Sequence, residues 1–209
     1  LAALSGLAPF FIDTYLPSFR EMGVSLHATP GQVQQTLTAY LVPFALMNLW
    51  HGALSDAVGR RPVVLWSLAI LGASSAACAL AGSIGTFWCL RAVQGAACGA
   101  GLVVGRAVVR DVYDGPAAQR VMAHVAALFA IAPAVAPLVG GWLHEVFGWR
   151  SVFVFLSLLS VGLAGWSAWA FPETMPRDQP TLFTRQPSHA DMPACCRTAG
   201  SAPQRARRR

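Results

Sequence analysis

Three charged side chains lie inside long apolar runs of this 209-residue sequence: Asp13 in the first run, Arg91 and Arg106 in the fourth. An ionised group is costly in such surroundings, so each should face a water-filled cavity or a partner. A carboxylate beside a guanidinium stays ionised until a proton or a substrate cation competes for it, which is the physics of a coupled binding site. At about 1.5 Å of helical rise per residue, Asp13 and Arg91 fall at matching depth, roughly 8–9 Å from the same end of their helices. They are expected to meet, as a coupling pair or as a fixed lock between two helices. Arg106, about 22 Å further along, is expected to snorkel at an interface. Gln94 and Gly95 share the helical face of Arg91, and Gly95, Gly99, Gly101 and Gly105 would let another backbone come close. In the second run Gln34, Thr38 and Asn48 suit helix–helix hydrogen bonds better than a cavity wall.

A second constellation joins the second and third runs: Gly52-Ala-Leu-Ser-Asp56-Ala-Val-Gly59-Arg60-Arg61-Pro62. Gly52 and Gly59 permit a tight reversal. Asp56 and Arg60, four apart, can pair with each other or with Arg110 or Asp111 at the end of the fourth run, and such a cluster can hold one end state closed. In the fifth run Pro133 and Pro137 sit one turn apart, with Gly140-Gly141 following. Two missing donors on one face bend the helix and the glycines pack it tightly, as a gate or as plain kinked packing. No clustered nucleophile, base or metal-ligand set suggests an enzyme. Cys78, Cys89 and Cys98 lie in apolar runs, and Cys195 and Cys196 are adjacent, without C-x-x-C spacing.

The elements that would position these residues are six apolar stretches of membrane-crossing length, about 1–19, 33–54, 62–82, 86–109, 121–143 and 151–171. The composition agrees: 55% of residues are hydrophobic and 11% charged, well under the share a water-soluble enzyme carries. Short loops force antiparallel neighbours. All fifteen basic residues are Arg, and seven fall between Arg177 and Arg209, in a Pro-, Gln- and Ser-rich segment that could not bury a core and reads as disordered. Arg60, Arg61, Arg110 and Arg120 on one side, against Arg20 and Arg150 on the other, place the first set, the N-terminus and the tail in the cytoplasm. Finally, Gly52–Val64 lies on Gly141–Phe153 at a constant offset of 89, with Asp56 over Glu145. Three crossings separate the copies, so they belong on opposite membrane faces, as in an inverted three-plus-three repeat.

These residues together resemble the N-terminal half of a major facilitator superfamily transporter, of the bicyclomycin/chloramphenicol-resistance type of drug:proton antiporter. Asp13-Thr-Tyr15-Leu16-Pro17 is similar to that group's first-span signature, and Gly52–Pro62 to the superfamily's loop motif. Arg91-Ala-Val-Gln94-Gly95 with Arg106–Asp111 resembles the fourth-span motif, and Ala132–Gly141 the antiporter motif of the fifth. Ala57 departs from the usual basic residue of the loop motif, and Ala136 from a frequent Gly. The resemblance covers about 1–176. It implies an all-α integral membrane fold of six transmembrane helices, one half of a twelve-span protein of the bacterial inner membrane. It also implies alternating access and efflux of small amphipathic molecules, driven by the proton gradient without a cofactor. Asp13, Tyr15, Arg91 and Gln94 would be substrate- and proton-coupling residues; Gly52, Asp56, Gly59, Arg60, Arg61 and Asp111 the cytoplasmic gate; Pro133, Pro137, Gly140 and Gly141 the kink. The partners implied are the bilayer, the substrate and protons, and a missing C-terminal half or a second copy, with no nucleic acid. The tail 177–209 has the composition of an out-of-frame continuation of a high-GC gene, so a truncated copy is expected, with a non-transporting membrane fragment or pseudogene product as the alternative.

Overall fold

Apolar runs punctuated by Gly, Pro and Ser fold into seven α-helices among the described residues, 2–113 and 115–170, of a computed structural model. They are α1 (Ala2–Asp13), α2 (Phe19–Ser25), α3 (Pro30–Val58), α4 (Arg60–Leu80), α5 (Ile84–Val112), α6 (Gly115–Phe147) and α7 (Trp149–Ala170). The segment 177–209, read as a disordered tail, lies outside the described residues.

The first run differs from expectation. A continuous helix over 1–19 is replaced by α1, a 3-10 turn at Leu16–Ser18 and the short α2. Thr14 turns its hydroxyl back onto the Phe10 carbonyl, and Pro17 both lacks an N–H and disfavours helical backbone at Leu16. Asp13 thereby becomes the last residue of α1. α3, α5 and α6 outrun their expected spans at both ends, and polar residues cap the starts of α3 and α5. Thr29 and Gln32 form a reciprocal capping box ahead of α3, with Pro30 at its first turn, and Ser83 accepts from the Thr86 N–H at the start of α5. Five helices, α3 to α7, are individually long and apolar enough to cross a membrane.

The packing obeys the inverted repeat. α3 lies against α5 as α6 lies against α1, while α4 crosses α7 and α1 crosses α5. Two turns 89 residues apart match: Gly59 (φ 110°) joins α3 to α4 and Gly148 (φ 79°) joins α6 to α7, both in the left-handed region that glycine enters freely. Where α4 and α7 cross, the Gly72 face meets Val161, its own repeat counterpart, and the Ser157 hydroxyl donates to the Gly72 carbonyl at 2.9 Å. At the two ends of this crossing the arginines exchange caps. Arg61 Nη2 donates to the Ala168 carbonyl at 2.6 Å, and Arg150 Nη2, its counterpart, donates to the Ala81 carbonyl at 3.4 Å. Each cation thus satisfies carbonyls that the other helix leaves open at its C-terminus.

α5 is the most enclosed of the long helices, whereas α3 and α6 turn large apolar side chains outward, Leu49 (77% exposed) and Leu138 (74%) among them. Such faces need lipid or further helices to cover them.

Candidate functional site

Arg91 is wholly buried, one of the largest fully buried side chains described. It sits in the second turn of α5, and small residues decide what surrounds it. A Cβ on Gly95 would overlap the Tyr40 carbonyl, and one on Gly99 would overlap the Asn48 side chain, so both glycines let α3 settle directly on α5. On the other face a Cβ on Gly101 would come to 2.8 Å from the Leu4 carbonyl of α1. The fourth run is thereby wedged between α1 and α3, and Arg91 is enclosed by both.

The guanidinium carbon lies 4.1 Å from the ring centre of Tyr15 and 4.5 Å from that of Tyr40. Two aromatic faces on a desolvated cation supply about 2 kcal/mol each. Nη1 donates to Gln94 Oε1 at 2.8 Å, Gln94 Nε2 donates to Ser75 Oγ at 2.8 Å, and Ser75 closes the chain onto the Leu71 carbonyl. Nε and Nη2 of Arg91 have no hydrogen-bond acceptor among the described residues. The rings are themselves fixed. Thr36 spends its hydrogen on the Val33 carbonyl, so Tyr15 donates to Thr36 Oγ1 at 3.2 Å, and Tyr40 donates to the Ala8 carbonyl at 3.4 Å.

Asp13 is not the partner of Arg91: no ion pair joins them among the described residues. The break after Asp13 leaves the carboxylate half-buried at the end of α1, while Tyr15, two residues on, takes the place beside the guanidinium. The expected pair is therefore replaced by a cation held between two phenols. The helical register of α3 also differs from expectation. Gln34 and Thr38 are exposed, whereas Thr36 and Tyr40 are buried. Asn48 does pack between helices, over Gly99.

The second constellation assembles at one end of the bundle. Arg60 Nη1 is 2.8 Å from Asp56 Oδ1 and donates to Ser55 Oγ at 2.8 Å, while Arg60 Nε is 3.3 Å from Asp111 Oδ2. Arg60 is buried and its two carboxylates are partly exposed, so one guanidinium ties the α3–α4 turn to the end of α5. Gly59 makes the turn and Arg61 caps α7, while Gly52 meets only Val103 at ordinary contact distance. Arg106 and Arg110 are exposed. In α6, Pro133 and Pro137 stand within an unbroken helix. A Cβ on Gly140 would overlap the Thr14 carbonyl, whereas Gly141 has nothing near it, so only one of the two glycines carries the α1–α6 contact.

Tyr40, Thr36 and Ser75 are the members of the Arg91 cluster that spacing did not single out. Their signal was a Thr–Tyr pair at i, i+4 in α3 and a Ser pair in α4, both common in membrane helices without a site.

The sequence profile of the Major Facilitator Superfamily matches residues 1–205. The chain is 35% identical over 174 residues to the bicyclomycin resistance protein homolog of Haemophilus influenzae, covering 83% of this chain and 44% of that protein. It is 38% identical over 171 residues to the chloramphenicol resistance protein of Pseudomonas aeruginosa (80% and 40%) and 32% identical over 166 residues to multidrug resistance protein D of Escherichia coli (79% and 42%). The chain spans less than half the length of these relatives. With an all-helical bundle, an inverted repeat visible in both turns, and this match along nearly its whole length, the chain belongs to the major facilitator superfamily.

Proposed function

We propose that this chain is the N-terminal six-span half of a proton-coupled efflux transporter for small amphipathic molecules, working by alternating access in a bacterial inner membrane. The observation that carries the reading is Arg91: a fully buried cation held by Tyr15, Tyr40 and Gln94, with no carboxylate partner and two guanidinium nitrogens lacking acceptors among the described residues. A permanent charge kept in this condition is costly as mere structure, and its open donors can accept an anionic partner in another state of the cycle. Asp13, at the end of a broken helix and without an ion-pair partner among the described residues, is the group that takes up and gives back the proton. The Asp56–Arg60–Asp111 cluster holds the cytoplasmic end, with the N-terminus and the tail on that side. The outward apolar faces of α3 and α6 receive the second half, or a second copy of this chain. The names of the relatives, resistance to bicyclomycin and to chloramphenicol, supply the substrate class.

The matched residues cover 44% of the Haemophilus relative, and the competing reading is a membrane fragment that does not transport. Both are tested by fusing residues 1–176 to the remainder of that relative and measuring labelled chloramphenicol counterflow in proteoliposomes. Counterflow by the fusion, lost in Arg91→Ala, is expected. A well-inserted fusion without counterflow overturns the transport reading.

A further inference from the structure

At the end of the bundle opposite Asp56, His144 Nδ1 in the last turn of α6 lies 3.0 Å from Glu21 Oε2 in the first turn of α2. Their placement mirrors the Arg60 cluster. The 89-residue offset sets Glu21 against Arg110, beside Asp111, and His144 against Ser55, beside Asp56. Each contact ties the end of one crossing to a glycine turn, and Glu21 sits over its turn directly, since a Cβ on Gly148 would be 3.5 Å from Oε1. The chemistry differs where it sets the positive charge. Arg60, a permanent cation, has Trp149 as its counterpart, and the positive charge of this end comes from an imidazole that carries it only when protonated. The nitrogen and the carboxylate oxygen are in ion-pair range, yet His144 Nδ1 forms no aligned hydrogen bond. The attraction therefore depends on the imidazolium charge.

We propose that Glu21 and His144 are positioning residues forming a proton-operated latch on the α6–α7 turn, closed when His144 is protonated and released when it is neutral. The sign follows from the contact: acid supplies the imidazolium that the Glu21 carboxylate holds, and rising pH removes it. The neighbouring charges do not substitute for it. Arg150 of α7 is turned onto the Trp149 ring (4.8 Å) and the Ala81 carbonyl. Arg20 of α2, Asp13 of α1 and Glu145 of α6 make no ion pair among the described residues. His27, just beyond α2, makes no ion pair among the described residues and serves as the control. The contact itself does not depend on the transport reading; only the compartment whose acidity it senses does.

Hydrogen–deuterium exchange of the whole chain in lipid nanodiscs, at pH 5.5 and 8.0 with intrinsic rates corrected, tests the latch without measuring efflux. Peptides covering 15–26 and 140–150 should exchange about two- to fivefold faster at pH 8.0, the range for a partly exposed ion pair. His144→Gln should be fast at both pH values, His144→Arg slow at both, and His27→Gln should keep the pH step. A wild-type chain without the step, or a His144→Gln chain that retains it, overturns the proposal. Loss of transport by a chain that keeps the step would count only against the transport reading.

Discussion

The Arg91 side chain is compensated by rings rather than by a carboxylate, and that choice has measurable consequences at the residue scale. Tyr40→Phe keeps the aromatic face over the guanidinium and forfeits a long hydrogen bond at 3.4 Å to the Ala8 carbonyl and a weak one shared with Cys98. It should cost no more than about 1 kcal/mol in unfolding free energy. Tyr40→Leu removes the face and should cost about 2 kcal/mol or more, read as a lower midpoint of thermal unfolding in nanodiscs. Arg91→Lys should not substitute, because an ammonium cannot stack between two rings while donating to Gln94; a several-fold fall in substrate counterflow by the fused protein checks it. Much of this cluster was legible beforehand. Arg91 and Gln94 stand out because a cation and an amide in an apolar run are rare, and Tyr15 through the resemblance of the first-span signature alone. Tyr40 does not, because a Tyr in a membrane helix carries no signature of which helix it will meet. The expected Asp13–Arg91 pair failed for a local reason: depth arithmetic assumes a continuous helix, and the Thr14–Pro17 segment breaks it.

Helices meet here through glycine positions, and the two adjacent glycines of α6 separate packing from mere composition. Gly140→Ala forces a Cβ into the Thr14 backbone and should destabilise the bundle by about 1–3 kcal/mol. Gly141→Ala meets nothing and should be neutral or slightly stabilising, since alanine is the better helix former by up to about 1 kcal/mol. Thermal unfolding of the two variants side by side decides it. The exchanged caps of α4 and α7 make a symmetric prediction. Arg61→Gln and Arg150→Gln should each loosen the far end of the opposite helix, seen as faster amide exchange near Ala168 and Ala81 respectively. At this scale the sequence was informative in proportion to the backbone's demands. A left-handed turn needs glycine, so Gly59 and Gly148 announced themselves at a fixed offset. The α3 register did not, because Gln34, Thr36, Thr38 and Tyr40 are all plausible on either face of a helix whose surroundings are lipid on one side and protein on the other.

The described residues form an inverted repeat with a permanent guanidinium at one end and an imidazole at the other, and two helices whose apolar sides lack cover among the described residues. Fold and family follow from span lengths, turn spacing and motif order, features that the bilayer imposes on sequence directly. The coupling mechanism does not follow from them, because it lies in a difference between two states. Its most direct test is proton movement. The fusion of residues 1–176 to the remainder of the Haemophilus relative is reconstituted in vesicles loaded with a fluorescent pH reporter at equal pH inside and out, and chloramphenicol is added outside. Drug entering in exchange for protons should raise the internal pH, and Asp13→Asn should abolish that rise while leaving insertion unchanged. Drug uptake with no internal pH change, or an undiminished rise in the Asn variant, would contradict proton coupling through Asp13.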